Sequence, residues 1–341
     1  MYKIIGERNK VNYGCIDERI DFNYADFVLR GFFGKKIGPL RKKCAFHAFN
    51  YIGILTDDFL IGIAAIDLGY MKNVFAYVYN YKDGIIFEYD KKATDRGPLS
   101  FPVNPDEYKI EWHKGKTFLS IEKSHERGML TLEADFEGGL QIRAVLPYSL
   151  GTHHPLRVLN PSEPTRWTFT EKCAPLFCEE LSIVLNGRPL AFRKETAAAL
   201  YDWSAGFMRR DTNWFWAAFA GVLDDGRKTA IGLNLAALIN ESFFPENAFW
   251  IDSVRTRTAQ CIWDYNPANP YEAWHIWNES GTVDITFSPQ GERSAKIRTG
   301  IVNTNFTQFM GTFAGTLVPG SGEAVSFAGV RGFAELHRAR W

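Results

Sequence analysis

The chain has 341 residues, 46% of them hydrophobic and 15% aromatic, and its 39 basic side chains are matched by 39 acidic ones. That length and apolar content suffice for one large β domain or for two smaller ones. Zero net charge argues against the broad basic face that a nucleic-acid backbone requires, so nucleic acid is not an expected partner.

The N-terminal MYKIIGERNK has no apolar run of signal-peptide length before its charges begin. The best membrane candidate, residues 59–68, spans only ten residues and contains Asp67, so no integral membrane segment is expected. Cys15, Cys44, Cys173, Cys178 and Cys261 form an odd, scattered set. They read as reduced thiols of a cytoplasmic protein.

Along the chain, residues 118–123, 129–136, 141–146 and 282–287 alternate apolar and polar side chains with period two, the pattern of half-buried strands. Turn pairs separate such runs: Asp83-Gly84, Glu137-Gly138-Gly139, Asn186-Gly187, Asp225-Gly226, Gln290-Gly291 and Gly320-Ser321-Gly322. Helical spacing is scarce, and Lys194 to Tyr201 (KETAAALY) is the main candidate for two helical turns. The fold class is therefore all-β and antiparallel.

Shifting the chain by 170 residues places Phe46 on Trp216, Phe49 on Phe219, Ile61-Gly62-Ile63 on Ile231-Gly232-Leu233, and Tyr79 on Phe249. A later echo sets Phe169, Thr170, Cys173 and Leu176 against Phe306, Thr307, Met310 and Phe313. These matches imply an internal duplication: an N-terminal module over residues 1–190 and a C-terminal one over 191–341, joined near 185–205. Modules of this size suit up-and-down antiparallel barrels, which remove their own edge strands and can hold one small ligand. Face-to-face sandwiches are the competing architecture.

The stretch RRDTNWFWAAFAG (209–221) combines charge with aromatic bulk. As a strand it turns Trp214, Trp216 and Ala218 to one side and Phe215, Ala217 and Phe219 to the other. Both sides are apolar, so the strand is expected to be covered twice. Asp211 follows Arg209 and Arg210, which either pair with it or leave it at a pocket mouth. Glu246 lies between Phe244-Pro245 and Asn247-Ala248-Phe249-Trp250. A carboxyl among aromatics keeps its proton to higher pH and can serve as a general acid, and aromatic faces stabilise a developing carbocation. Asn234 is polar in an apolar strand, a structural bridge or a ligand contact. Glu335 and His337 lie two apart, on one face of a last strand, either as an acid–imidazole pair or as a latch for that strand.

No cofactor or metal is expected. His153-His154 has no third ligand at suitable spacing, and Cys173 and Cys178 have no matching pair. Gly320-Ser321-Gly322 lacks the context of a phosphate loop, and no GxSxG elbow occurs.

Several of these stretches are similar to the bacterial domain of unknown function 2804 family: Asp202-Trp-Ser-Ala-Gly206 through RRDTNWFWAAFAG, Asp225-Gly-Arg227, Gly232-Leu-Asn-Leu235, Glu246-Asn-Ala-Phe-Trp250, and Gly332-Phe-Ala-Glu335-Leu-His337 with Trp341. Residues 61–70 agree in the first half. The chain departs at 44–51, where family members usually carry tryptophan. The family implies no particular reaction. In double-module plan the chain also resembles lipocalin-like carotenoid hydratases and their fungal relatives, which act on double bonds of apolar molecules; that resemblance implies a tandem antiparallel β-barrel of calycin, lipocalin-like type. Three functions are thereby expected in order: a cofactor-independent hydratase, cyclase or isomerase on an isoprenoid- or lipid-like molecule; a non-catalytic carrier of such a molecule; and a carbohydrate-active or carbohydrate-binding protein. For the first, Glu246 and Asp211 are the candidate acids, and Trp214, Trp216, Asn234, Asn247, Trp250, Glu335 and His337 the binding residues.

Overall fold

A computed structural model of the chain describes residues 1–94, 97–240, 242–298, 303–320 and 322–340. Ser321 of the expected 320–322 turn, and Trp341 of the family-like ending, lie outside these. The fold is all-β, two curled antiparallel modules in tandem.

The N-terminal module is built on an eight-stranded sheet. Its order runs Leu156–Glu163, Arg166–Phe177, Ala198–Gly206, His47–Leu55, Phe59–Asp67, Lys72–Asn80 and Gly84–Ala93, with the short Gly14–Cys15 at the first edge. A seven-stranded sheet, including Glu107–Lys114, Thr117–Ser124, Met129–Phe136 and Leu140–Pro147, covers one face. Ile52, Ile63, Trp112, Ile121, Leu132 and Trp203 meet in the core between them. The covering strands alternate buried and more exposed residues because water touches their outer face, whereas His47–Leu55 and Phe59–Asp67 are almost continuously buried. That continuity has a cause: the second module covers their other side.

The interior of the first module also holds a buried ion cluster. Arg157 Nη2 donates to Asp106 Oδ1 at 2.6 Å, its Nε lies 3.0 Å from Glu171 Oε2, and both Lys123 and Tyr148 donate to Glu171 Oε1. Burial alone would raise the Glu171 pKa, but the charges of Lys123 and Arg157 hold it below the ordinary carboxylate value. These charged side chains are all buried inside the first module.

A nine-stranded sheet over residues 211–340 forms the C-terminal module, with Asp211–Val222, Ala230–Ala237, Val283–Arg298, Asn303–Leu317 and Val325–Arg340 as its long strands. It curls around Phe219, Leu233, Phe249, Trp274, Phe287 and Phe313. Its other face packs on the N-terminal sheet through Trp216, Ala218, Trp250, Met310 and Phe333 against Tyr51, Leu60, Ala64, Tyr77 and Leu200. Asp211–Val222 is therefore covered on both sides, with the facing expected from its period.

Three expectations change. Residues 194–201 form no two-turn helix: a single 3-10 turn, Lys194–Thr196, leads into the strand Ala198–Gly206. Its alanines are the small residues of a strand pinned between two neighbours and covered by the second module. That strand lies beyond the expected 190/191 division yet pairs with Arg166–Phe177 and His47–Leu55. We place the division at 207–210, between it and Asp211–Val222.

The repeat matches the right strands but not at one offset. Gly53 faces Gly62 across the first hairpin, and Ala220 faces Gly232 across the second. Gly62 and Gly232 are 170 apart, whereas their partners are 167 apart. The turns account for this, being four residues (56–59) in the first module and seven (223–229) in the second. Structurally, Phe49 corresponds to Trp216, Tyr51 to Ala218, and Tyr77, opposite Gly62, to Trp250, opposite Gly232. The expected matches Phe46–Trp216, Phe49–Phe219 and Tyr79–Phe249 join residues on opposite sheet faces. The later echo slips for another reason, a bulge in Arg166–Phe177 between Cys173 and Leu176: Thr170, paired with Ser204, corresponds to Gln308, paired with Glu335, whereas beyond the bulge Leu176 corresponds to Phe313 as expected.

Candidate functional site

The facing sheets part at one end to leave a cleft of about 220 Å³ between the modules. From the first module it receives Phe49, Phe75, Lys172, Asp202 and Ser204, and from the second Trp214, Trp216, Glu246, Phe306, Gln308, Glu335 and His337. The parity of the strands selects these residues. Thr212, Trp214 and Trp216 share one face of Asp211–Val222, and Phe333, Glu335 and His337 share one face of Val325–Arg340.

Glu335 is the best-placed acid. It is 4% exposed, Trp214 Nε1 donates to its Oε1 at 2.6 Å, and Gln308 Nε2 donates to its Oε2 at 3.3 Å. Burial pushes its pKa up to about 7; the Trp214 bond and the Lys172 charge act against the rise, and Asp202 adds to it. Gln308 continues the contact into the first module: Tyr77 OH donates to Gln308 Oε1 at 2.5 Å, and the Tyr51 and Tyr77 hydroxyls are 2.9 Å apart.

His337 stands beside it, its ring centroid 4.0 Å from that of Trp214. Neither ring nitrogen has a hydrogen-bond partner among the described residues, and the 3.9 Å from Nδ1 to Glu335 Oε1 is too long for one. Burial lowers its pKa to about 3, so the ring is neutral at physiological pH. Acid and imidazole thus have inverted protonation tendencies: the carboxyl keeps its proton while the ring refuses one.

Glu246 also faces the cleft and is 3% exposed, and Asn240 Nδ2 donates to its Oε1 at 2.8 Å. Its pKa is raised by burial, with Lys172 and Asn240 opposing. The charge of Lys172 acts on both carboxyls; its ammonium donates to Asp202 Oδ2 at 2.5 Å and sits 4.6 Å from the Trp216 ring centroid. Ser204 Oγ donates to Asp202 Oδ1 at 3.1 Å. Arg293 closes one wall, its guanidinium over Phe75 at 4.6 Å and its Nε donating to Glu88 Oε1 at 2.8 Å.

Other expected site residues sit elsewhere. Asp211 is exposed and points away from the cleft, since it shares its parity with Phe215 and Ala217; it is no acid of this site. Asn234 is a bridge behind the wall, accepting from Trp216 Nε1 at 2.7 Å and donating to the Glu246 carbonyl at 2.7 Å. Asn247 is spent on structure, accepting from Ala236 N at 2.6 Å and donating to Ala259 O at 3.2 Å and Gln260 Oε1 at 3.3 Å. Trp250 is fully buried in the module contact, its Nε1 donating to His154 O at 3.0 Å. Lys172, Asp202 and Ser204 escaped the sequence reading, although Asp202 and Ser204 are polar residues two apart in the apolar AALYDWSAG, the signal that singled out Asn234. Among the described residues, no group of three or more His, Cys, Asp or Glu side chains is placed to hold a metal ion.

A family model described as a domain of unknown function, DUF2804, matches residues 32–341. The chain belongs to the DUF2804 family. The match spans both modules, so the cleft between them is built wholly from DUF2804 residues. No curated protein matches the chain. Among solved structures, it is similar in fold to kievitone hydratase from Nectria haematococca, at 13% identity and a TM-score of 0.50, over 86% of this chain and 88% of that one. No helix among the described residues of this DUF2804 protein is long and apolar enough to cross a membrane.

Proposed function

We propose that this protein is a cofactor-independent acid catalyst that adds water to, or removes it from, a carbon–carbon double bond of an apolar small molecule held between the modules. The observation that carries this reading is Glu335, a carboxyl that is protonated near neutrality and set in an aromatic-walled cleft. In the hydration direction Glu335 gives its proton to one alkene carbon, and positive charge develops on the other. The faces of Trp214, Trp216 and Phe306 are suited to stabilise that charge. Water then bonds to the cationic carbon. Its surplus proton passes to the neutral His337, whose nitrogens have no hydrogen-bond partner among the described residues, and returns to Glu335. Lys172 and Asp202 are already paired and would orient a polar group of the substrate. The fold is shared with a protein that is itself a hydratase, which agrees with this reading.

Native mass spectrometry of freshly purified protein, with organic extraction, tests the substrate class by revealing any retained apolar molecule. Incubating that molecule with the protein in oxygen-18 water tests the chemistry. The wild type is expected to incorporate label and the Glu335→Gln variant to retain the molecule without labelling it. A retained molecule that neither protein labels would make this a carrier instead.

A further inference from the structure

Residues 27–56 contain Arg30, Lys35, Lys36, Arg41, Lys42 and Lys43 and not one Asp or Glu, in a chain whose net charge is zero. The same segment carries the most exposed aromatic pair described. Phe32 is 98% and Phe33 88% exposed, and Leu40 nearby is 74% exposed. The two phenylalanines are not loose ends. Gly31 N donates to Lys35 O at 2.9 Å, Gly34 N to Gly31 O at 2.8 Å and Arg30 Nη1 to Gly34 O at 2.9 Å, a tight turn that holds both rings at its tip. Helix Pro39–Ala45 follows, with Lys35, Lys36, Arg41 and Lys43 all exposed.

A monomer has no use for two fully hydrated phenylalanines at the tip of a fixed turn. Apolar rings beside clustered cations suit the boundary between acyl chains and anionic headgroups. A second copy of the chain fits less well, because a two-fold contact through this patch would set each cation cluster against its own image. The patch also has a fixed relation to the cleft. The helix runs directly into His47–Leu55, whose His47 and Phe49 line it. Its Lys43 carbonyl lies against Gly69, where a Cβ would come within 2.3 Å, and Leu68 and Met71 of that turn are cleft walls.

We propose that residues 31–43 dock the protein on a bilayer containing anionic lipid, with Phe32 and Phe33 entering the acyl boundary and the cations meeting headgroup phosphates. Docking there brings one end of the cleft close to the membrane surface.

The test is co-flotation of the full chain with vesicles of phosphatidylcholine alone and of phosphatidylcholine mixed with phosphatidylglycerol, at low and high salt. Binding is expected only to the anionic vesicles and is expected to weaken as salt rises. Phe32→Ser/Phe33→Ser should weaken it by about tenfold or more, and Lys35→Glu/Lys36→Glu by roughly fivefold for each cation lost. Both variants should unfold at the wild-type temperature, since all four side chains are exposed. No flotation, equal flotation with neutral vesicles, or undiminished binding by the Phe32→Ser/Phe33→Ser variant overturns the proposal. So does a wild-type dimer that those same substitutions dissolve, which would assign the patch to a second copy.

Discussion

Trp214 Nε1 donates to Glu335 Oε1 at 2.6 Å although its direct ladder partner is His337, and Glu335 lies opposite Trp216. The bond is therefore diagonal, and it leaves the imidazole unclaimed. Because it opposes the upward pull of burial, Trp214→Phe is expected to move the Glu335 pKa above about 7. Carbon-13 NMR titration of labelled glutamate carboxyls reads this directly. A pKa that stays put or falls would mean the indole does not stabilise the carboxylate.

Glu335 and His337 should also write opposite slopes into the pH dependence of stability. Glu335 has an ordinary pKa of 4.5 and a folded one of about 7. The unfolded chain releases this proton first, so stability falls as pH rises from 4.5 to 7. His337 has an ordinary pKa of 6.5 and a folded one of about 3. The unfolded chain takes up that proton first, so stability falls as pH drops from 6.5 towards 3. Between pH 4.5 and 6.5 the two slopes, each about 1.4 kcal/mol per pH unit at most, nearly cancel. Glu335→Gln should uncover a stability that rises with pH in that window, and His337→Gln one that falls. Urea denaturation at several pH values measures both, and parallel profiles for wild type and variants would refute the pairing.

The module contact rests on a glycine. A Cβ at Gly232 would lie 2.3 Å from the Ala174 carbonyl carbon and 2.6 Å from Pro175 N, both backbone atoms that cannot step aside cheaply. Its repeat mate Gly62 makes room for the Tyr77 ring instead, with a Cβ position 2.2 Å from it. Gly232→Ala is expected to cost about 1–3 kcal/mol, the range for overpacking a filled site. Gly221→Ala, one strand away with nothing within 4 Å, should change stability by no more than about 0.5 kcal/mol. Thermal unfolding of the two variants compares them, and equal effects would show that the modules do not depend on this approach.

The all-β class, the duplication and the two-sided burial of 211–222 were legible because period-two patterns and turn pairs are local. Trp214, Trp216, Glu246, Glu335 and His337 were legible as candidates for the same reason: each breaks or thickens a local pattern. Parity alone already separates Asp211 from Trp214 and Trp216, since an odd position faces away from even ones on an unbulged strand. The arginines beside it drew attention to the wrong side. What the sequence hides is distance in space. Asp202 and Glu335 are over 130 residues apart, and only the packing of two sheets brings both to one cleft. Turn lengths are hidden too, and three extra residues at 223–229 moved the repeat register far enough to mismatch faces.

The repeat supplies its own design for a last prediction. Lys172 faces Asp202 in the first module, and the corresponding pair in the second is Met310 facing Phe333. Lys172 is 6% and Asp202 4% exposed, so removing one partner strands a buried charge. Lys172→Met alone is expected to destabilise by about 3–5 kcal/mol. Lys172→Met/Asp202→Phe installs the apolar pair that the second module already tolerates, and it should recover most of that loss. Denaturant unfolding of the single and double variants gives the coupling between the two sites. If the double variant is as stable as wild type yet no longer retains the extracted molecule, the ion pair exists for the cleft's ligand rather than for the fold. If it stays as unstable as the single variant, the pair is part of the scaffold, and the polar group of the ligand must be sought at Ser204 or Glu246.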